Sequence, residues 1–77
     1  MVRQVSWDGE LRELIRQRWR VGQAFSLADV YSLEPHFAKL YPRNRHRLDK
    51  LRQTLQHLRD EGSVEFLDDQ GHYRRVK

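Results

Sequence analysis

The sequence predicts a small α+β domain in which three or four helices are followed by a two-stranded β-hairpin. Apolar residues recur at helical spacing in three separate regions, and glycine and proline divide these regions from one another. The end of the chain holds two short runs of aromatic and branched residues around a polar turn. This order of elements is that of a winged helix-turn-helix. At 77 residues the chain is predicted to be one domain, residues 1–77, with an ordered core from about 6 to 76.

The first helix is predicted from Trp7 to Trp19, because one apolar stripe runs along it. The stripe consists of Trp7, Leu11, Leu14, Ile15 and Trp19. Ser6 is placed to cap this helix, and Gly22 is a natural stop after it. Phe25 favours a short strand before Ser26, which is predicted to cap the next helix.

Proline divides the second helical region. Because proline is tolerated in the first turn of a helix but not in its interior, Pro35 predicts a break near Ser32 and a new helix that starts at about Glu34. Pro42 is predicted to end that helix.

The third helical region has the most regular spacing and predicts a helix from about Arg45 to Glu61. Asn44 stands where an N-cap belongs, and Gly62 terminates the pattern. The predicted buried seam is Leu48, Leu51, Leu55 and Leu58. The runs VEFL and YRRV that follow, with Gly71 in the turn between them, predict the hairpin.

The side of this helix opposite the seam is predicted to meet DNA. A helix turns 100° per residue, which leaves a polar stripe exposed. The stripe is His46, Lys50, Gln53 and His57, flanked by Arg47, Asp49, Thr54 and Asp60. In helix-turn-helix proteins the start of the recognition helix enters the major groove, where Arg and Lys suit guanine and Asn and Gln suit adenine. The predicted base and groove contacts are Asn44, His46, Arg47, Lys50 and Gln53. The predicted phosphate contacts are Arg43, Arg45, Arg52, Arg74 and Arg75, with His72 and Lys77 extending the basic surface.

Composition agrees with an anionic partner. Fifteen Lys and Arg against eleven Asp and Glu give a net charge of +4, and most of the cations are Arg. The absence of cysteine excludes disulfides and a thiolate zinc site, and the four histidines lack the paired spacing of zinc ligands. No apolar run approaches the length of a membrane span. We therefore expect a soluble, cytoplasmic protein at the prokaryotic nucleoid, without a metal, a cofactor or catalysis of its own.

Several short motifs follow one another in a definite order between residues 25 and 74. The motifs are Phe25 with Ser26, LYP at Leu40 to Pro42, Asn44 and His46, RQ at Arg52 and Gln53, LQ at Leu55 and Gln56, LRD at Leu58 to Asp60, Gly62, EFL at Glu65 to Leu67, and Gly71 with Tyr73. This ordered set resembles the C-terminal winged-helix domain of DpnI-type restriction endonucleases, which is similar to the helix-turn-helix part of Dam-replacing proteins.

The resemblance implies a reader of N6-methyladenine. DpnI-type enzymes join an N-terminal PD-(D/E)xK nuclease domain to a winged helix that independently reads adenine-methylated DNA, GATC in DpnI itself. The chain is then expected to be a monomeric specificity module of a modification-dependent restriction endonuclease, with the nuclease domain in the parent protein or in a partner. Asn44 and Gln53 would address adenine N6 and N7, and Tyr41 and Pro42 are candidate contacts for the methyl group.

The sequence departs from this family in two ways. The 77 residues leave no room for a nuclease domain, and the turn LDDQGHY is longer and more acidic than the LGxGxY type of the family. Two other functions stay open from the residues alone. One is a transcriptional regulator without methyl sensitivity that dimerises through the Trp7 to Trp19 helix, and the other is a winged helix that binds protein. A polar helix face that serves only solubility is the plainest alternative for the recognition stripe.

Overall fold

A computed structural model describes residues 6–77 of the chain, and residues 1–5 lie outside the described part. The elements in chain order are α1 (Trp7–Arg18), β1 (Ala24–Ser26), α2 (Leu27–Tyr31), α3 (Glu34–Leu40), α4 (Arg47–Asp60), β2 (Val64–Phe66) and β3 (His72–Arg75). The predicted α+β order, the C-terminal hairpin and the short strand at Phe25 are confirmed. None of the helices described in residues 6–77 is long and apolar enough to span a bilayer.

Local capping sets where the first helices begin. The Ser6 hydroxyl accepts a hydrogen bond from the amide of Gly9 at 3.0 Å, as predicted. Ser26 and Asp29 form a reciprocal capping box at the start of α2, with each side chain bonded to the other residue's amide. Pro35 occupies the first turn of α3, where its missing N–H costs no helical hydrogen bond.

The three strands form one antiparallel sheet in the order β1-β3-β2. Tyr73 lies in the central strand, opposite Phe25 on one side and Phe66 on the other. The Tyr73 ring centroid is 5.6 Å from that of Phe25 and 4.8 Å from that of Phe66, so the inner face of the sheet is aromatic. Gly71 lies in the hairpin turn at φ +87°, a conformation that favours glycine. A Cβ at this position would be only 3.1 Å from Leu27 Cβ, so the turn packs closely against α2.

The core lies between this sheet and the helices. Its fully buried side chains include Leu11, Val30, Phe37, Leu51, Leu55 and Leu58. Two side-chain contacts join α1 to α4: Arg12 Nε is 2.7 Å from Glu61 Oε1, and His57 Nδ1 is 3.2 Å from Asp8 Oδ1. Because both contacts advance by four residues along both helices, α1 and α4 run in the same direction. The C-terminal end of α1 therefore lies at the C-terminal end of α4, far from the start of α4.

The bounds of α4 differ from the prediction. The helix begins at Arg47 rather than Arg45, and its N-cap is His46 rather than Asn44. The Asn44 side chain instead accepts a hydrogen bond from the His46 amide at 2.9 Å. This bond closes a tight turn before the helix, so the helix begins later in the chain than predicted. At the other ends, α3 stops at Leu40, before Pro42, as predicted, and α4 stops at Asp60, one residue before the predicted Glu61.

The buried face of α4 is also rotated relative to the predicted leucine seam. Leu48 was predicted to be buried, but it is 44% exposed. Thr54 was predicted to flank the exposed stripe, but it is fully buried. Its hydroxyl donates to the Lys50 carbonyl at 2.6 Å, so the buried oxygen is not left without a partner. The centre of the buried face therefore shifts by roughly 30° around the helix axis, counted at 100° per residue.

Candidate nucleic-acid interface

The helices α3 and α4 and residues 41–46 between them form the helix-turn-helix, and aromatic stacking anchors the start of the connection. The Trp7 ring stacks on Phe37 with centroids 4.5 Å apart and on Tyr41 with centroids 4.7 Å apart. Burial raises the pKa of Tyr41, with a smaller contribution from the Glu10 carboxylate. The loop thus leaves α3 from a fixed aromatic stack on α1.

Arg47 holds the start of α4 against α3 and the loop. Its guanidinium donates to the Glu34 carboxylate and, at 2.7 Å, to the Asn44 carbonyl. The Arg47 side chain is only 26% exposed. The structure therefore gives Arg47, one of the predicted base contacts, an internal role in orienting the helix.

The remaining predicted base contacts lie together. A shallow depression at the start of α4 is lined by Asn44, His46, Asp49, Lys50 and Gln53. The His46 side chain is 83% exposed, and its Nδ1 lies 3.8 Å from Asp49 Oδ2. The shifted buried face brings Asp49 and Gln56 nearer to the middle of the exposed face, whereas the prediction placed His46 and Lys50 there. We refer to these five lining residues and Gln56 as the outer face of α4.

Cations without an internal partner gather around the outer face. Four cations have no acidic side chain paired with them within residues 6–77: Arg43, Arg45, Lys50 and Arg52. We call these four residues the free cations of α4. In addition, α4 begins without a side-chain cap, so the N–H groups of its first turn are open to an anion. The positive end of the helix dipole and the free cations act in the same place.

The hairpin cations instead bond to other groups of the protein. Arg74 donates to the Glu65 carboxylate at 2.8 Å across the strands. Arg75 donates to the carbonyls of Trp19 at 2.7 Å and Arg16 at 3.3 Å, and it thereby fastens β3 to the end of α1. Sequence reasoning missed these contacts because the first depends on the register of β2 and β3 and the second on the position of β3 against α1.

The hairpin turn is acidic. The pKa of Asp68 is lowered, first by the hydrogen bond from the Gln70 amide and also by the His72 side chain, whose Nδ1 lies 2.7 Å away. Asp69 adjoins it in the same exposed turn. A carboxylate kept ionised at the tip disfavours close approach to phosphate, so the hairpin offers less to DNA than the start of α4 does.

The two predicted methyl contacts, Tyr41 and Pro42, differ in their surroundings. Tyr41 is half-buried in the stack with Trp7, whereas Pro42 is exposed. Leu48, which the sequence placed in the core, is exposed on the first turn of α4. It lies in a second depression that Tyr31, Arg45 and His46 also line.

No group of three or more His, Asp or Glu side chains that could hold a metal ion occurs in the described part of the chain.

Residues 10–75 of the 77-residue chain match a family model described as the Dam-replacing HTH domain. The match runs from α1 to the last residue of β3 and includes the whole outer face of α4 and all of its free cations. It confirms the resemblance to the C-terminal domain of DpnI-type endonucleases that the ordered motifs indicated.

Proposed function

The chain belongs to the Dam-replacing HTH domain family, whose helix-turn-helix binds DNA, and on this premise we propose that α4 reads N6-methyladenine in the major groove of a duplex. The domain then serves as the specificity module of a modification-dependent restriction endonuclease, with the nuclease domain in the parent protein or in a partner. It acts as a monomer at the nucleoid.

One observation carries this proposal: the free cations and the uncapped start of α4 surround a polar, exposed helix face. Arg43 and Arg45 precede the helix, and Arg52 lies one and a half turns into it. Phosphate contacts fix the register of a protein on a duplex, and side chains on the enclosed helix face then reach the base edges. The outer face of α4 is placed for this role, because four of its six side chains are exposed and the other two, Asn44 and Lys50, are half-buried.

Two amides on this face suit adenine. Because Asn44 Oδ1 already accepts from the His46 amide, its NH₂ group is left to donate to adenine N7. Gln53 has no internal partner among residues 6–77. In a base pair the one remaining N6–H of methyladenine bonds thymine O4 and the methyl group takes the groove position, so the Gln53 amide NH₂ can donate to that O4 while its aliphatic stem lies against the methyl group. The added methyl group is apolar, and burial of one such group contributes about 0.8 kcal/mol, or about fourfold in affinity. Methyl preference is therefore expected to be moderate.

Binding to three duplexes of one sequence tests the proposal. The duplexes contain a GATC site that is unmethylated, methylated on one strand or methylated on both, and fluorescence anisotropy gives each affinity at one fixed salt concentration. We expect affinity to rise by about fourfold with each methyl group that is contacted. Equal affinity for all three duplexes would reject methyladenine reading and would leave a DNA-binding regulator as the function.

Gln53→Ala and a matched control assign the reading to α4. Gln17 is exposed near the C-terminal end of α1, away from the start of α4, so Gln17→Ala removes an equivalent amide from an unrelated surface. We expect Gln53→Ala to weaken binding and reduce the preference for methylated duplex, and Gln17→Ala to change neither. Equal effects of the two variants would contradict the assignment.

A further inference from the structure

Leu48 is an exposed apolar side chain on the helix that the proposed function assigns to the major groove. It is 44% exposed, and it is the large apolar residue of α4 that the described part of the fold leaves uncovered. The others that are comparably exposed, Val21, Leu40, Leu67 and Val76, lie outside α4. Leu48 belongs neither to the buried core nor to the partly buried apolar side chains that pack against it.

Charged groups surround Leu48 on the side where phosphates are expected. Arg45 lines the same depression, together with Asp49 and with Glu34, whose carboxylate pairs with Arg47. Arg52 lies four residues beyond Leu48 on the same side of α4. Neither the Arg45 nor the Arg52 guanidinium pairs with a carboxylate within residues 6–77. If these two cations bind phosphates along one strand, Leu48 lies between them at the edge of the groove, within reach of the bases of that strand.

The floor of the major groove offers few apolar groups. Thymine presents its C5 methyl there, and methylated adenine presents its N6 methyl, whereas the other major-groove atoms of the bases are mainly hydrogen-bond donors and acceptors. A branched apolar side chain without a hydrogen-bonding atom has favourable contacts only with such methyl groups. Leu48 also lies on the flank of α4 opposite Lys50, so it does not compete with Gln53 for the same base.

We propose that Leu48 contacts a base methyl group in the major groove, either the thymine C5 methyl or the adenine N6 methyl. The proposal rests on the proposed function in so far as α4 must enter the groove. It does not require that methyladenine be the group contacted.

Four duplexes of one sequence distinguish the two sources of the methyl group. They combine adenine or N6-methyladenine with thymine or deoxyuridine at the same site, and affinities are measured by anisotropy with the full chain and with Leu48→Ala. The wild-type protein should bind about fourfold more tightly when the contacted methyl is present. For each methyl group, the affinity with the methyl is divided by the affinity without it. In Leu48→Ala this ratio should fall close to one for the contacted methyl and should stay as in the wild type for the other methyl. Loss of the N6-methyl ratio identifies adenine, and loss of the thymine ratio identifies thymine.

Leu67→Ala is the matched control, because Leu67 is 43% exposed but lies next to the hairpin turn. Leu48→Met keeps an apolar group of similar length and should retain the discrimination. Unchanged ratios in Leu48→Ala, an equal loss of affinity on all four duplexes, or the same change in Leu67→Ala would each overturn the proposal. If the wild type does not distinguish adenine from N6-methyladenine, methyladenine reading fails, and the thymine ratio still decides the role of Leu48. Circular dichroism confirms that each variant is folded.

Discussion

Replacement of Arg43 and Arg45 together by alanine should flatten the salt dependence of DNA binding. If each of the free cations of α4 neutralises one phosphate, the logarithm of the binding constant should fall with log salt at a slope of about −3.6, taking −0.9 per phosphate. The double variant should show a slope of about −1.8. Between 50 and 200 mM salt, affinity should then decrease about 150-fold for the wild type and about 12-fold for the variant.

The assay is a series of anisotropy titrations at increasing NaCl with one labelled duplex. Arg18→Ala combined with Arg20→Ala is the control, because it removes the same net charge from exposed positions at the C-terminal end of α1. That end lies far from the start of α4, so the slope of the control should equal that of the wild type. A wild-type slope in the Arg43 and Arg45 variant, or an equal reduction in the control, would refute the location of the interface.

Two further predictions concern interactions inside the domain. Arg47→Met removes the guanidinium that bonds Glu34 and the loop, and should lower the free energy of unfolding by about 1–2 kcal/mol in urea titrations; unchanged stability with weakened DNA binding would instead make Arg47 a direct DNA contact. The pKa of Glu61 is lowered, first by the hydrogen bond from Arg12, so its ionised form stabilises the fold above the carboxyl's unfolded pKa, and this contribution is lost as pH falls through the lowered pKa. Glu61→Gln should therefore be less stable than the wild type at neutral pH and equally stable in acid, and a difference that persists in acid would contradict this.

The helices and the hairpin were predictable because their signals are local. Ser6, Ser26, Pro35 and Gly62 each act within a few residues of their own position, and the structure uses them as predicted. The start of α4 was not predictable in the same way. Asn44 has the chemistry of an N-cap, but it bonds the amide of the next residue but one, and nothing in the sequence distinguishes these two uses of the same side chain.

The orientation of α4 about its axis depends on tertiary packing. Helical spacing is compatible with two buried seams. One consists of the leucines at positions 48, 51, 55 and 58, and in the other Thr54 replaces Leu48. Threonine can be buried because its hydroxyl bonds the carbonyl four residues earlier, and this makes the second solution available. The choice decides whether Leu48 faces the core or the solvent, and it could be made only once the neighbouring helices were in place.

Net charge is a poor measure of how this domain meets DNA, because the fold uses many of its cations internally. Arg12, Arg47 and Arg74 pair with carboxylates, and Arg75 bonds backbone carbonyls. Beside α4, Arg43, Arg45, Lys50 and Arg52 keep their charge free of a carboxylate partner among residues 6–77, and the acidic hairpin turn disfavours a competing surface there. Affinity should therefore depend strongly on salt while discrimination depends on a few uncharged contacts, so that salt concentration changes the strength of binding without changing the preference for methylated DNA.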